Sequence, residues 1–275
     1  MDMTLGLCTI QRDRGPWLTE WLAFHHVVGF RKFFFYAHCC SDDSAARLRK
    51  LAPVLDLTCF EINEEMDFVQ LKAYQHAYDH HGAQVDWMAF IDGDEFLFPV
   101  EAEQLQDVLV EFDAAPISAL GVYWHCYGSS GHVQEPEGLL IDNYLERHET
   151  GFIRNRHVKS IVKGRQTMKA NMNAHLFHTP HGTVDELMRP IHHGFMRDLE
   201  PSHRKLRINH YICQSREYYT NVKRKAGMAD AGAAGRRADD WWDLHDRNDV
   251  HDELVLRFRD RVAAKRAELE AVLAS

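Results

Sequence analysis

The 275-residue sequence has no run of the ~18 consecutive apolar residues that a membrane-spanning helix requires, so no span is expected. It opens MDMTLGLCTIQRDRG, with an acid at position 2 and only a short apolar run before Gln11, which does not read as a secretory leader. CxxC pairs are missing too. Cys8, Cys39, Cys40, Cys59, Cys126 and Cys213 follow no framework spacing, which points to reduced thiols and a cytoplasmic setting. A basic surplus is also absent. The 32 Lys and Arg against 41 Asp and Glu give a net charge of -9, which argues against nucleic acid as a partner. We find no internal repeat.

What is present suffices for a globular core, with 45% hydrophobic and 11% aromatic residues. The compositional oddity is 19 His, which enlarges the supply of metal ligands and of groups titrating near neutrality. The first hundred residues alternate. MTLGLCTI, RKFFFYAH, LDLTCFEI and WMAFI read as short buried strands. Between them, PWLTEWLAFHHVV, SDDSAARLRKLA and DFVQLKAYQHAYDHH carry helical spacing. Pro16 starts the first helix, Gly29 follows its end, and Ser41, Asp42 or Asp43 is available to cap the second. In the third, Phe68, Leu71, Tyr74 and Tyr78 share a face.

This alternation predicts right-handed crossovers and an α/β fold with a mostly parallel sheet covered on both faces. Farther on, EQLQDVLVEF reads as a helix, ISALGVYWHCY as a strand and GSSGHVQEPEG as a loop. VKSIVKG, AHLFH and LRINHYI are strand-like pieces in a His- and Arg-rich stretch. We divide the chain into a main domain over 1–225, a Gly/Ala-rich linker or mobile loop over 226–248, and an amphipathic helix over 249–275 with Leu254, Phe258, Val262, Leu269 and Leu273 at helical spacing.

The stretch AFIDGDEFLF sets three acids, Asp92, Asp94 and Glu95, directly after an apolar strand. In an open α/β sheet, ligands bind beyond the carboxyl ends of the strands, so these acids are expected at the binding edge. Two carboxylates flanking Gly93 repel one another unless a cation lies between. Mg²⁺ and Mn²⁺ take oxygen ligands, and Mg²⁺ often combines one or two carboxylates with substrate phosphates. The acid-Gly-acid turn thus suits a metal-diphosphate, while the plain alternative is a set of loop acids and helix caps.

Several ordered blocks carry a resemblance over residues 3 to about 225: CTIQRDRGPWLTEWLAFHHVVGFRKFFFYAHCCSDDS, WMAFIDGDEFLF, YWHCYGSSGH, VKSIVKG, AHLFH and INHYICQSREYY. Together they resemble the GT-A fold glycosyltransferases of the family 2-like and family 92 (DUF23-like) group. The resemblance implies a Rossmann-like GT-A domain that moves a sugar from a nucleotide-diphosphate sugar to a hydroxyl of a glycan, glycolipid or related acceptor, with inversion and with Mn²⁺ or Mg²⁺.

It assigns the metal to Asp94 with Asp92, which also meets the ribose, and brings His210 to the same ion. Thr9, Arg12 and Asp13 fall where the nucleotide base binds, with Asp42 and Asp43 near the ribose. Arg12 and Asp13 replace an Asn-Glu type pair, and the second lysine of VKSIVKG precedes Gly164 instead of Pro. Lys159 and Lys163, with Arg156, are expected at the diphosphate leaving group, and GSSGH at the donor sugar. A general base is expected after that loop. Among Glu135, Glu137, Asp142 and Glu146 we select Asp142, with Glu146 beside it.

Trp241 and Trp242 suit either a docked anchor or an acceptor platform, and VKRK at 222–225 reads as a solvated helix end. A membrane-bound acceptor would be met peripherally from the cytoplasmic side. Two rival readings share these residues: a metal-dependent phosphohydrolase, and a non-catalytic carbohydrate-binding protein on the same fold.

Overall fold

The computed structural model describes residues 3–171, 173–225, 237 and 240–275. Its first half is the expected alternation: β1 (Leu5–Gln11), α1 (Gly15–Val27), β2 (Phe30–His38), α2 (Ser44–Leu55), β3 (Leu57–Ile62), α3 (Val69–His81), β4 (Trp87–Phe90), β5 (Glu95–Pro99) and α4 (Leu105–Asp113). Then come β6 (Ala119–Cys126), α5 (Leu140–Asn143), β7 (Glu146–Arg147), β8 (Val158–Lys163), β9 (Thr183–Val184), β10 (Pro190–Ile191), β11 (Leu206–His210), α6 (Arg216–Tyr218), α7 (Trp241–His245), β12 (Val250–His251) and α8 (Arg259–Ala274).

The main sheet runs β10-β9-β6-β8-β4-β1-β2-β3. The run β3-β2-β1-β4 is parallel, and β8 enters antiparallel to both β4 and β6. The far half of β6, from Trp124 to Cys126, leaves β8 and pairs with β11, which in turn takes β5 antiparallel. That hand-over curls the sheet and carries β5, beginning at Glu95, away from β4. A two-stranded ribbon of β7 and β12 completes the pairing.

Successive side chains of the inner strands go to opposite faces. Leu5, Leu7, Phe33 and Phe35 enter a core with α1, α2, α4 and α8, whereas Cys8, Ile10, Phe34 and Tyr36 pack under α3. Both faces are covered, which is why strands flanking Gly6 and FFF read as nearly continuous apolar runs.

Helix α1 ends as expected, with Gly29 at a φ of +125° that other residues rarely adopt. At the start of α2 it is Asp42 whose Oδ1 accepts from the Ser44 amide. Phe68 departs from expectation. It takes a left-handed φ of +55° just before α3 and is 55% exposed, so the buried face is Val69, Ala73, Tyr74, Ala77 and Tyr78 instead. AHLFH is not a strand, since its ladder is a single bridge of His178 with Lys169. Within the stretch read as a linker, 226–236, 238 and 239 lie outside the described residues, while α7 is docked through buried Trp242. The C-terminal helical pattern divides into a 3-10 turn over Leu254–Phe258 and α8, and Val255, Phe258, Val262 and Leu269 belong to the same core as α1.

Candidate active site

Strand β4 ends at Phe90, and the chain turns through Ile91-Asp92-Gly93-Asp94 before β5. Glu95 builds that turn. Its Oε2 accepts from the Asp92 amide at 2.9 Å, and its own amide donates to the Asp92 carbonyl at 3.1 Å. Glu95 is wholly buried, and this burial pushes its carboxyl well above the usual range. It is the structural acid of the three. Gly93 permits the side chain of Gln11, at the carboxyl end of β1, to cross it. A Cβ there would lie 2.5 Å from Gln11 Cδ. Gln11 Nε2 in turn donates to Thr9 Oγ1, and Arg14 Nη2 donates to the Gly93 carbonyl at 2.9 Å.

Asp92 and Asp94 face different partners. Asp92 Oδ2 accepts from Lys159 Nζ at 2.8 Å, and Oδ1 accepts from Gln70 Nε2 at 2.6 Å and from the Tyr74 hydroxyl at 3.3 Å. Lys159 is 1% exposed and lies 3.8 Å from Glu95 Oε1, so one ammonium serves two acids. Burial alone would raise the Asp92 carboxyl, but Lys159 holds it below its ordinary value.

Asp94 Oδ2 accepts from Lys223 Nζ at 2.5 Å, and its Oδ1 stands 3.6 Å from His210 Nε2. Burial is again the largest effect and works against ionisation. Lys223 and His210 outweigh it and keep Asp94 well below the carboxylate range. Burial lowers the pKa of His210, partly offset by Asp94.

Unpartnered buried atoms gather around this turn: Arg14 Nε, Glu95 Oε1, Trp124 Nε1, His210 Nδ1 and Gln214 Nε2. Buried polar groups are normally bonded, by protein, water or ligand, so these five atoms make the turn a candidate site. Trp124 stacks on His157 at 4.7 Å and lies 4.2 Å from His210, forming an aromatic wall. Arg14, bound to the Gly93 carbonyl, also bonds Gln214 Oε1 and the Tyr218 hydroxyl.

The loops after β1 and β2 bring Arg12, Asp13, Asp42 and Asp43 to the same sheet edge. Asp13, at a φ of +51°, accepts from the amides of Ser41 and Asp42. Asp42 Oδ2 accepts from the Gly15 amide and Asp43 pairs with Arg47, so both fasten the loop to a helix start. Arg12 bonds the His38 carbonyl and Glu65. Two candidate three-ligand groups occur among the described residues, His38-Cys39-Glu65 and Asp13-Cys40-Asp42, and neither includes Asp92 or Asp94.

Other expected residues fall elsewhere. Lys163 is at the far end of β8, where its Nζ donates to the carbonyls of Asp113 and Ala115 beside Trp87, so it does not join Lys159. Arg156 is bound to the Arg197 and Leu199 carbonyls and to Glu200. Asp142 pairs with Arg259 and Glu146 with His251, both from the C-terminal segment, and none of their hydrogen bonds reaches the cluster. Among the acids weighed as the base, Glu135 is bonded nearest to it, through Ser215 next to Gln214.

The GSSGH loop is clamped from behind. The Ser129 and Ser130 amides donate to Asp246 and Asn248, and its first glycine leaves no room for a Cβ beside the Arg247 carbonyl, 2.3 Å away. A separate groove of about 970 Å³ lies on the outer side of α3, between Leu71, Gln75 and Tyr78 and residues 165–171.

Sequence reasoning missed Lys223, Arg14, Gln70, Tyr74 and Trp124. Lys223 sits in the VKRK run and Gln70 on an amphipathic helix, and neither pattern distinguishes a site residue from a surface one.

A family model described as Glycosyltransferase family 92 matches residues 2–231. The chain is 27% identical over 185 residues to a glycosyltransferase family 92 protein of Oryza sativa subsp. japonica, an alignment covering 65% of this chain and 30% of that protein. Another of Ricinus communis is 26% identical over 223 residues, covering 78% and 36%. The chain therefore spans about a third of the length of these curated relatives. Among solved structures, S. aureus TarS 1-349 in complex with UDP aligns with a TM-score of 0.45 and 13% identity over 75% of this chain and 60% of that one. The mixed sheet with helices on both faces agrees with the GT-A class implied by the sequence blocks. This chain belongs to glycosyltransferase family 92.

Proposed function

We propose that the chain transfers a sugar from a nucleotide-diphosphate sugar to a hydroxyl of a glycan, glycolipid or related acceptor, with inversion, at the Asp92-Gly93-Asp94 edge. The observation that carries this reading is the turn itself. Two partly buried acids there are each matched by a buried lysine, and unpartnered polar atoms lie around them.

Asp94 Oδ1 and His210 Nε2, 3.6 Å apart on one side of the turn, are a carboxylate-imidazole donor pair that suits Mn²⁺. The Nδ1 of His210 has no hydrogen-bond partner, so no protein group fixes the ring through that nitrogen. When bound, the ion would neutralise developing charge on the diphosphate leaving group. Both Asp92 oxygens are engaged by protein donors, so Asp92 is assigned to the ribose side and to fixing Lys159. Lys159 supplies positive charge that needs no reorganisation as the glycosidic bond breaks. Thr9, Arg12, Asp13, Asp42 and Asp43 form the rim along which the base and ribose lie. Arg14 and Trp124 border the space left for the sugar.

Among the described residues no helix is long and apolar enough to cross a membrane. Surface contact with a lipid-linked acceptor and a cytoplasmic setting are parts of this proposal.

The test is a thermal-shift screen of nucleotide sugars with and without Mn²⁺, followed by transfer assays on Asp94→Ala. Stabilisation by one donor only with Mn²⁺, and a loss of about 100-fold or more in turnover in the variant, are expected. Unchanged transfer by Asp94→Ala rejects the assignment.

A further inference from the structure

Lys223 has no counterpart in the sequence-based site, yet it makes the shortest ionic contact at the turn. It closes a π-helical turn, Tyr219–Lys223, a local geometry frequent at functional sites. Its side chain is 9% exposed, lies 5.7 Å from the centre of the Trp241 ring and ends 2.5 Å from Asp94 Oδ2. Trp241 is itself held between neighbours, stacked on Tyr219 at 5.1 Å and on His245 at 4.3 Å. The lysine is thereby aimed at Asp94 by a built aromatic support. One carboxylate thus serves two claimants, the ammonium on Oδ2 and, on Oδ1, the cation proposed beside His210 Nε2.

A divalent cation at Oδ1 would sit within a few ångströms of the ammonium, where two like charges in a partly buried site repel strongly. Asp94 can satisfy one of them fully. Resting on the donor-site reading above, we propose that Lys223 is an exchangeable counter-ion. It neutralises Asp94 in the free protein and moves to the diphosphate when the nucleotide arrives, so that cation and diphosphate enter together and the cation does not bind ahead. The diphosphate adds negative charge for Lys223 and oxygen ligands for the cation in the same step, which leaves every charge matched before and after.

The experiment measures binding, not turnover. Mn²⁺ alone is titrated by electron paramagnetic resonance, and inorganic pyrophosphate without metal by calorimetry, into the wild type, Lys223→Met, Lys223→Arg and the exposed control Lys225→Met. Lys223→Met should bind Mn²⁺ about tenfold or more tightly than wild type and pyrophosphate about tenfold or more weakly. Lys223→Arg should keep Mn²⁺ binding weak, and Lys225→Met should match wild type.

Should Lys223→Met be too unstable to titrate at rest, its melting temperature should rise with Mn²⁺ alone by more than that of the wild type. Equal Mn²⁺ affinity in Lys223→Met and wild type, abolished in both by Asp94→Asn, overturns the exchange while leaving the metal position intact. Mn²⁺ binding to Lys223→Met that survives Asp94→Asn overturns the donor-site reading as well, because the ion then lies elsewhere.

Discussion

Lys159 is the residue on which the most charge depends. Its ammonium is withdrawn from water and faces Asp92 and Glu95 together, and their pull raises its pKa against the larger opposing effect of burial. Replacing it with Met leaves the partly exposed Asp92 and the buried Glu95 without their ammonium, a loss of about 1–3 kcal/mol, between that of a surface pair and that of a fully buried one. Urea denaturation of Lys159→Met should show a loss of that size, and a change under about 1 kcal/mol would show that water reaches the pair freely. The sequence could place Lys159 but not separate it from Lys163. Both lie on one face of β8 because four is an even spacing, yet four residues of strand span about 13 Å, enough to put them at opposite ends of the sheet. Asp92 and Asp94 were legible because an acid-Gly-acid turn after an apolar strand is a local pattern. Lys223 was not, because its partner is 129 residues away.

Among the elements, the GSSGH loop shows how a short piece of chain is kept in place by a distant one. Its amides are held by Asp246 and Asn248, and the loop's first residue abuts the Arg247 backbone. Since backbone cannot swing aside as a side-chain tip can, Gly128→Ala should push the loop off that segment at a cost of about 1–3 kcal/mol. If the loop lies at the donor sugar, as the family resemblance implies, the variant should also lower transfer activity. Thermal melting and a donor titration on this variant check both, and a variant with wild-type melting and activity would show the loop to be loosely held. The β1–β4 alternation and its covering helices were readable from periodicity because each unit is local. The β5-β11-β6 pairing was not, because FLF and LRINH carry no sign of being partners across more than a hundred residues. Phe68 misled for a related reason: helical spacing does not reveal that the helix starts one residue later.

For the whole molecule, the high histidine content has a consequence for acid stability. His25, His148 and His245 are buried neutral rings. His25 Nδ1–H donates to the Trp21 carbonyl while its Nε2 accepts from the Leu97 amide, tying α1 to β5. Burial lowers the pKa of His25 to about 3 and of His148 and His245 to about 4. A group depressed in the folded state contributes stability above its unfolded value of 6.5 and loses it as pH falls toward the folded value. At pH 5 each ring accounts for a loss of about 2 kcal/mol. Glu20, raised by burial to about 7, acts in the opposite direction over the same window and offsets roughly one of them. Urea midpoints should therefore fall markedly between pH 7.5 and pH 5, and a midpoint that holds or rises would contradict the neutral assignment of these rings.

The order in which the chain is synthesised bears on the turn at Asp92 and Asp94. The acids leave the ribosome first, Lys159 follows Asp92 by 67 residues, and Lys223 follows Asp94 by 129. A nascent chain halted before Lys223 would contain all four strands β1–β4 and the acidic turn but not the ammonium that pairs with Asp94, so that charge is matched only after the segments that carry it have been made.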